Sequence, residues 1–446
     1  MELVRKLKAR EAANDPIRVG IVGCGQMGSG LAHAVGQAPG MEVRALADVA
    51  LERALRTFAE LGVPDDFVVE ANSVDEAQDA LRRGRRVATQ DAMLLPQLEA
   101  LEANVEATGV VDVGARVAWE SIQHSKPVIM LNVETDVTVG YLLNHKARRA
   151  GTVYTAASGD EPGVCKMLHE QAILMGFEVV CLGKGKNNPI DYSATPESCT
   201  AEAVAKGMNP KILASFKDGT KTMVEMAAVA NSTGLIPDIP GMHGPKVEIE
   251  DLARVFIPRT AGGIFSASGR VDFSTGAIAP GVFAVVYSDN ARIRKDMKFI
   301  TRAAGPYYLH FRPYHLCDIE TPQSIAEAVL LGERTVAAEA MRAEVVGVAK
   351  RELRIGDRVG GLGSADIYGR LYEYQEARRL QAIPLGLAPD GIVTAPISAG
   401  QLLTEANFIP DTGTLIYRLR WEQDKMLGNG ARPNNSRPPA LALESE

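Results

Sequence analysis

Three glycines near the start of the chain have the spacing of a dinucleotide-binding turn. They form the pattern Gly23-x-Gly25-x-x-Gly28, which follows an apolar, β-branched run and opens a helix-like segment. In this pattern the first glycine permits a tight turn, the second lets a pyrophosphate approach the backbone, and the third lets helix and strand pack closely. Asp48 ends the next predicted strand, at the distance where a carboxylate meets the adenosine ribose. The chemistry that this pattern predicts is oxidation or reduction with a nicotinamide cofactor.

The charged residues around this turn leave the choice of cofactor open. The Asp48 carboxylate favours NAD, because it would repel a ribose phosphate, whereas Arg44 and Arg53 are close enough in sequence to accept that phosphate. Either arginine is equally well explained as a solvated surface charge. We predict that the cofactor is bound by Gly23, Gly25, Gln26, Met27, Gly28, Asp48, Arg53, Asn132 and Glu134.

Two adjacent carboxylates, Asp160 and Glu161, lie between a predicted strand and a predicted helix in the segment SGDEPG. Acidic residues before a helix often only cap it and favour its dipole. At a strand end that faces a nicotinamide, the same carboxylates would hold a divalent cation or transfer a proton. We predict a catalytic and metal-binding role for both residues, with helix capping as the alternative.

Lysines and amides follow another apolar strand in the segment GKGKNNPID. Lys184, Lys186, Asn187 and Asn188 offer ammonium and amide donors to a phosphate or carboxylate. This segment is the predicted binding site for an anionic substrate group, and a basic surface loop is the alternative.

Further basic residues follow in two segments. Lys217, Lys221 and Glu225 are spaced four apart, so one helix face would carry all three and the carboxylate would orient a catalytic lysine. An exposed salt bridge is the alternative. His310 and Arg312 lie in the segment YYLHFRPYH and are predicted to bind substrate, although such histidines are often satisfied locally.

These residues require parallel strands to position them. Strand-like runs begin at Ile17 and Met41, and further strands are expected over 86–90, 109–114 and 127–132 with helix-length segments between them. This alternation predicts an α/β fold whose N-terminal part is a Rossmann-type, doubly wound parallel sheet. Asn132 and Glu134 would follow one of its strands, where open α/β sheets bind ligands.

The length of 446 residues predicts two or three domains. The segment 306–345 is expected to pack back on the first domain, and TPQSIAEAVLLGE within it predicts a helix over 321–333 with Pro322 in its first turn. The predicted domains are a dinucleotide-binding domain over 1–155, a central α/β catalytic, substrate and dimerisation domain over 156–305, a small β-rich domain over 346–430 and a flexible tail over 431–446.

Composition excludes several classes of protein. A net charge of -7 and a pI near 5.7 provide no cationic field for nucleic acid or for an anionic membrane. The five cysteines are odd in number and include no CxxC pair, which is typical of a reducing compartment. No apolar run resembles a signal peptide or a membrane span. We therefore expect a cytoplasmic protein that binds neither nucleic acid nor membranes.

The order of the motifs GIVGCGQMG, MLNVETD, SGDEPG, GKGKNNPID, FKDGTKTMVEM and HFRPYH resembles a known group of enzymes. They are the homoserine-dehydrogenase-like oxidoreductases with a SAF-like C-terminal domain, and in particular the deoxyxylulose 5-phosphate reductoisomerase-like enzymes. The resemblance covers nearly the whole chain. It implies conversion of 1-deoxy-D-xylulose 5-phosphate to 2-C-methyl-D-erythritol 4-phosphate in isoprenoid precursor synthesis, by an intracellular homodimer. It also implies NADPH as cofactor, with NADH as the alternative, and a Mg or Mn ion.

The chain departs from homoserine dehydrogenase itself at two motifs. That family has an Asn-Lys pair where this chain has Asn132-Val133-Glu134, and its helix-starting motif is only loosely matched by Asp218-Gly219-Thr220-Lys221. Homoserine oxidation is therefore not expected. Two alternatives stay open: an NAD(P)-dependent dehydrogenase or reductase of a sugar acid or amino-acid semialdehyde, and a non-catalytic, cofactor-binding regulatory protein.

Overall fold

The computed structural model describes residues 2–428, and the tail predicted over 431–446 lies outside them. Internal contacts divide the chain into two units. The first unit is the chain up to Gly163 together with Leu316–Ala337, and the second is Val164–His315 together with the chain from Ala338 onward. Across residues 2–428, no helix has both the length and the apolar character needed to cross a membrane.

A seven-stranded sheet forms the frame of the first unit. Its strands are β1 (Ile17–Val22), β2 (Met41–Ala47), β3 (Val68–Glu70), β4 (Arg86–Thr89), β5 (Ala103–Glu106), β6 (Val128–Met130) and β7 (Tyr154–Ala156). They lie in the order β3-β4-β2-β1-β5-β6-β7, and every neighbouring pair is parallel. The predicted Rossmann-type parallel sheet is confirmed. Because β1 lies between β2 and β5, the strand order reverses there, which is where such sheets bind dinucleotides.

Helices of the first unit pack on this sheet through two apolar clusters. Val19 and Ile21 share one cluster with Leu31, whereas Ala45 and Ala47 belong to the other. The helices are α1 (Glu2–Ala12), α2 (Gln26–Gln37), α3 (Leu51–Glu60), α4 (Val74–Arg82), α5 (Leu94–Gln97), α6 (Val111–Gln123), α7 (Val133–Arg149), the start of α8 (Glu161–Leu174), and α14 (Cys317–Leu331).

One strand predicted for this unit is wrong, and one predicted helix is present but begins earlier than predicted. The segment 109–114, predicted as a strand, contains the start of α6, and the strand of this region is β5. Asn104 and Glu106 are polar yet fully buried in β5, so its composition concealed it from a search for apolar runs. The helix predicted over 321–333 begins four residues earlier, at Cys317, and continues through Pro322. Proline removes one backbone hydrogen bond from a helix but does not end this one.

A five-stranded mixed sheet forms the centre of the second unit. Its strands are β8 (Glu178–Gly185), β9 (Ile236–Pro237), β10 (Arg270–Ser274), β11 (Val282–Tyr287) and β12 (Tyr307–Arg312). They lie in the order β12-β11-β8-β10-β9, with β8 parallel to β10 and antiparallel to β11. Cys181, Phe283 and Val285 pack in an apolar cluster with Phe256 and Phe265. Because side chains alternate along a strand, the neighbouring residues project to the opposite face.

The C-terminal part of the second unit is built from short strands. They are β13 (Ala343–Ala349), β14 (Ile367–Glu373), β15 (Ile392–Val393) and β16 (Phe408–Ile409), which form two antiparallel pairs. The other helices are the rest of α8, α9 (Pro196–Ala205), α10 (Pro210–Lys217), α11 (Thr220–Thr233), α12 (Leu252–Val255), α13 (Ala291–Thr301), α15 (Tyr374–Arg379) and α16 (Leu415–Met426). Asn231 at the end of α11 accepts hydrogen bonds from the Arg342 and Ala343 N–H groups at 2.7 and 2.9 Å. These bonds join the β-rich segment to α11.

Candidate active site

The turn between β1 and α2 has the geometry of a dinucleotide cradle. Gly23 has a φ of +94°, which side chains rarely permit. A Cβ on Gly28 would lie 1.7 Å from the Gly23 carbonyl oxygen, so helix and turn can approach only because this residue is glycine. A Cβ on Gly25 would meet nothing within 4 Å, which leaves space for a phosphate at the start of α2. Gln26 and Met27 form the first turn of that helix. The residues present therefore fit a dinucleotide.

Asp48 ties the end of β2 to this turn. One carboxylate oxygen accepts the Cys24 N–H at 2.8 Å, and the other accepts the Ala50 N–H at 2.9 Å. Burial, reinforced by the Asp48 charge, raises the pKa of the Cys24 thiol to about 12, while Arg53 acts in the opposite direction. Arg53 is thus close enough to the turn to act on it electrostatically. That Asp48 and Arg53 contact a ribose stays a prediction.

Arg44, the other arginine considered for a ribose phosphate, is bound elsewhere. Its guanidinium donates to the Glu42 carboxylate and to the Leu81 carbonyl oxygen, both at 3.1 Å. Burial lowers the pKa of Arg44. Arg53 is exposed on α3 and is the better candidate of the two for a ribose phosphate.

A buried carboxyl group that sequence reasoning missed lies at the end of β5. Glu106 is fully buried, and its Oε1 atom accepts hydrogen bonds from the N–H (2.9 Å) and the hydroxyl of Thr108. Its Oε2 atom has no hydrogen-bond partner among the described residues. Burial raises the pKa of Glu106 to about 7, against the opposing effect of the Thr108 donors and of the nearby Asn132 side-chain amide. The only sequence signal was the acidic residue that ends the short segment ANVE, and the strand predicted over 109–114 drew attention away from it.

Asn132 and Glu134, predicted to bind cofactor, lie at the start of α7 just after β6. The Asn132 side chain caps α7 by accepting the Thr135 N–H at 3.1 Å, and it donates to the Val110 carbonyl oxygen at 3.2 Å. Both Asn132 and Glu134 are buried. The capping bonds hold the start of α7 against the loop before α6, and contact with a cofactor stays a prediction.

Asp160 and Glu161 are buried where α8 begins. Their carboxylate oxygens lie within 4.8 Å of each other. The Cys317 thiol, at the start of α14, donates to Asp160 at 3.2 Å. Two carboxylates this close together are oxygen donors of the kind that suits a divalent cation. The residues fit a metal ion, and its binding stays a prediction.

Lys184 and Lys186 differ in how their charges are compensated. The Lys184 ammonium forms a buried ion pair with Glu225 on α11. The Lys186 ammonium donates to the Asn188 carbonyl oxygen at 2.7 Å, and no carboxylate within residues 2–428 forms an ion pair with it. Burial and the nearby Lys184 charge lower the pKa of Lys186 to about 8, although Asp218 and Glu225 oppose this change. A buried ammonium without a paired carboxylate is suited to binding an anionic ligand.

Arg312 on the edge strand β12 faces the same direction as Lys184. Both residues pair with Val282 of β11, one from each side, so they lie in one cross-strand row. The Arg312 guanidinium also stacks over the Tyr314 ring, 4.5 Å from its centre. The sheet thus presents two cations on the face opposite its apolar cluster.

The other predicted substrate ligands are less closely grouped. His310 lies two residues before Arg312 on β12 and packs edge-on against Phe177, with 5.7 Å between ring centres. Burial lowers the pKa of His310. Asn187 is exposed and Asn188 is half-buried on the loop after β8. Substrate contact by these three residues stays a prediction.

The shared helix face predicted for Lys217 and Lys221 is wrong. Helix α10 ends at Lys217 and α11 begins at Thr220, because Gly219 between them adopts a φ of +83°. The Lys217 ammonium instead pairs with Glu202 on α9 at 2.5 Å, and this hydrogen bond raises the pKa of Lys217. A lysine with a raised pKa is poorly suited to exchanging a proton near neutral pH.

A second buried ion pair, also missed from sequence, joins the C-terminal part to this region. The Lys350 ammonium lies 2.8 Å from the Asp218 carboxylate, and the two side chains are 2% and 0% exposed. Lys350 also donates to the carbonyl oxygens of Ala194 and Ser364. No local pattern links residues so distant in sequence, so only the fold reveals this pair.

The sheet order and the glycine turn define the first unit as a Rossmann-type dinucleotide-binding unit. Residues 159–321 match the family model for the catalytic domain of oxidoreductase DRL. The sheet order and this match together support an NAD(P)H-dependent oxidoreductase. This result agrees with the predicted enzyme class.

Several solved structures resemble the chain at low identity. An oxidoreductase from Agrobacterium radiobacter, in complex with NAD+, L-tartaric acid and magnesium, is 13% identical over 40% of this chain and 48% of its own, with a TM-score of 0.30. A probable dehydrogenase from Thermotoga maritima is 12% identical over 71% of this chain and 90% of its own, with a TM-score of 0.41. A DOX-P reductoisomerase in complex with magnesium is 13% identical over 72% and 70%, with a TM-score of 0.39.

This chain thus spans about half the length of the Agrobacterium protein. No curated protein sequence matches the chain. Likenesses of this size carry no information about the reaction.

Proposed function

We propose that the protein is an NADPH-dependent reductoisomerase that converts 1-deoxy-D-xylulose 5-phosphate to 2-C-methyl-D-erythritol 4-phosphate in isoprenoid precursor synthesis. The order of motifs along the chain and the family-model match support this reaction. The observation that carries the proposal is the buried Lys186 ammonium, which has no ion-paired carboxylate within residues 2–428 and follows the central strand of the matched region. A phosphate would supply the missing negative charge.

The remaining roles follow from where the cations and donors lie. Lys186, Asn187 and Asn188 bind the substrate phosphate, and Lys184, held by Glu225, adds positive charge. His310 and Arg312 bind the rest of the substrate. The nicotinamide supplies the hydride that reduces the aldehyde formed by rearrangement. Arg53 accepts the ribose phosphate that distinguishes NADPH from NADH.

In this proposal Asp160 and Glu161 hold a divalent cation, Mg or Mn. Such a cation supplies Lewis acidity toward the ketone and hydroxyl oxygens of the substrate. The Cys317 thiol orients the Asp160 carboxylate through its hydrogen bond. Because Lys217 is paired with Glu202, Lys221 is the better of the two predicted lysines for moving the hydroxyl proton. We also propose a cytoplasmic homodimer that binds neither nucleic acid nor membranes.

The first test is the rate of NADPH and NADH oxidation with 1-deoxy-D-xylulose 5-phosphate, with Mg or Mn present and then chelated. We expect metal-dependent turnover that is selective for NADPH and yields 2-C-methyl-D-erythritol 4-phosphate. Absence of turnover, in protein shown to bind cofactor, overturns the proposal. Sugar acids and amino-acid semialdehydes would then be the substrates to test.

The second test separates the phosphate site from general damage. Replacing Lys186 with Met removes one charge-assisted hydrogen bond, worth about 1.5–3 kcal/mol, so KM for the sugar phosphate should rise roughly 10- to 100-fold. The matched control is Lys206→Met, because Lys206 is an exposed lysine paired with Glu202, and it should leave KM unchanged. Equal KM values for Lys186→Met and wild type would contradict the phosphate role.

A further inference from the structure

Glu106 is a buried carboxyl group that none of these roles uses. It is 0% exposed, and its Oε2 atom has no hydrogen-bond partner among the described residues. Burying a polar atom without a partner costs free energy, and burying a charge without a counter-ion costs more. A buried carboxyl oxygen of this kind suggests that a bound ligand compensates it.

The sheet order places Glu106 on one side of the cofactor cradle. Strand β5, which ends at Glu106, lies directly beside β1, whose following turn faces the pyrophosphate. Because Asp48 at the end of β2 marks the adenosine side, the nicotinamide half extends the other way, over the ends of β5 and β6. Ala107, the next residue, touches the turn, since a Cβ on Gly23 would lie 2.9 Å from its carbonyl oxygen. Glu106 thus lies beneath the nicotinamide half of the cradle.

The titratable groups around Glu106 are acids. Glu134 acts on it through its charge, and Tyr154 lies near enough to respond to both Glu106 and Asp136. The Tyr154 hydroxyl donates to Asp136 at 3.1 Å, which satisfies that second carboxylate. No cation within residues 2–428 forms an ion pair with Glu106. With a pKa near 7, Glu106 changes its charge within the physiological range.

We propose that Glu106 compensates the charge of the nicotinamide ring: it is a neutral acid beside the reduced ring and a carboxylate beside the oxidised ring. The oxidised ring carries one positive charge that the reduced ring lacks, so only the oxidised cofactor supplies the missing counter-ion. Below pH 7, where Glu106 without cofactor is mostly protonated, binding of the oxidised cofactor therefore releases up to one proton from Glu106 to solvent, and binding of the reduced cofactor releases none. The half-buried Thr108 hydroxyl, bonded to Glu106, connects the carboxyl group with the surface.

The test compares dissociation constants of NADP+ and NADPH over a pH range on either side of 7, without substrate. Ionisation of Glu106 increases as the pH rises, so affinity for NADP+ relative to NADPH should increase with pH, by at most about tenfold per pH unit for one proton. The relative affinity is the useful quantity, because the ribose phosphate titrates in both forms of the cofactor. A relative affinity that is constant with pH in the wild type overturns the proposal.

Two variants test whether Glu106 causes the pH dependence of the relative affinity. Glu106→Gln keeps the shape and removes the titration, so the relative affinity should become independent of pH. Asp136→Asn is the matched control, because Asp136 is also a buried carboxyl whose pKa burial raises, to about 6, and it should keep the wild-type dependence. A Glu106→Gln variant with the wild-type dependence also overturns the proposal.

If Glu106→Gln does not fold, proton release by the wild type decides the question. Calorimetric titration in two buffers of different ionisation enthalpy should show release of protons on binding NADP+ and none on binding NADPH, and equal release for both contradicts the proposal. The inference rests on the NAD(P)H-dependent activity alone. Failure of the reductoisomerase assay leaves it intact, and its failure leaves the reductoisomerase proposal intact.

Discussion

The glycine turn and the lysine sites position their functional groups in two different ways. In the turn the backbone positions the groups that bind the cofactor. The glycines that allow this backbone conformation, Gly23, Gly25 and Gly28, lie within a few residues of one another. In the second unit side chains position the charged groups, since Lys184 and Lys350 form ion pairs with carboxylates on other elements. A backbone site tolerates few residue types, whereas a side-chain site depends on a partner elsewhere in the fold. The two sites should therefore fail differently when mutated.

The largest effect should come from breaking a buried pair in the second unit. Asp218→Asn leaves the Lys350 ammonium buried without its carboxylate, which typically costs 3–5 kcal/mol, so we expect a loss of about 4 kcal/mol in the free energy of unfolding. Urea denaturation measures it. Glu202→Gln is the control, because the Lys217 and Glu202 side chains are 26% and 37% exposed, and it should change stability much less. Similar losses in both variants would show that burial does not distinguish the pairs.

The next largest effect should come from filling the glycine turn. In Gly28→Ala the new Cβ would lie 1.7 Å from the Gly23 carbonyl oxygen, and relieving such overpacking costs about 3 kcal/mol. If this strain is relieved by displacing the dinucleotide-binding turn, NADPH affinity should drop roughly a hundredfold, as measured by fluorescence titration. Gly36→Ala in the same helix meets Leu61 at 3.5 Å, an ordinary contact, and should leave affinity unchanged. Wild-type NADPH affinity in Gly28→Ala would mean that the close backbone packing at Gly28 does not determine cofactor binding.

A smaller effect should appear in the pH dependence of stability through Glu106. Because burial raises its pKa from 4.5 to about 7, the native state holds a proton that the unfolded state releases between these values. Stability contributed by this group is complete below pH 4.5 and decreases as the pH rises toward 7, by at most about 1.4 kcal/mol per pH unit. Chemical denaturation of wild type and Glu106→Gln over this range measures it. If the free energy of unfolding depends on pH in the same way for both proteins, the raised pKa of Glu106 is contradicted.

An effect of similar size and reversed sign should come from Lys186. Its pKa falls from 10.5 to about 8 on folding, so between these values the unfolded state binds more protons than the native state. Stability of the wild type relative to Lys186→Met should therefore increase as the pH rises from 8 to 10.5. Denaturation curves at alkaline pH measure it. A relative stability that falls over this window would show that Lys186 gains a counter-ion on folding.

Sequence patterns predicted the first unit better than the second. The alternation of strands and helices led to the parallel sheet, and the glycine spacing led to the cradle, because both depend on residues close together in the chain. The strand that ends at Glu106 was missed, since a buried strand with polar residues does not look apolar. The helix break at Gly219 was also missed, because one left-handed glycine outweighed a favourable lysine spacing.

The sequence by itself determined the Rossmann-type sheet and the dinucleotide turn. Each of these follows from local rules of backbone conformation and side-chain periodicity. Only the tertiary structure decided that Lys184 pairs with Glu225, that Lys350 pairs with Asp218 and that the Oε2 atom of Glu106 is buried without a hydrogen-bond partner among the described residues. The physical reason is that charge compensation and burial depend on which residues meet in space, and the spacing of residues along the chain does not contain that information.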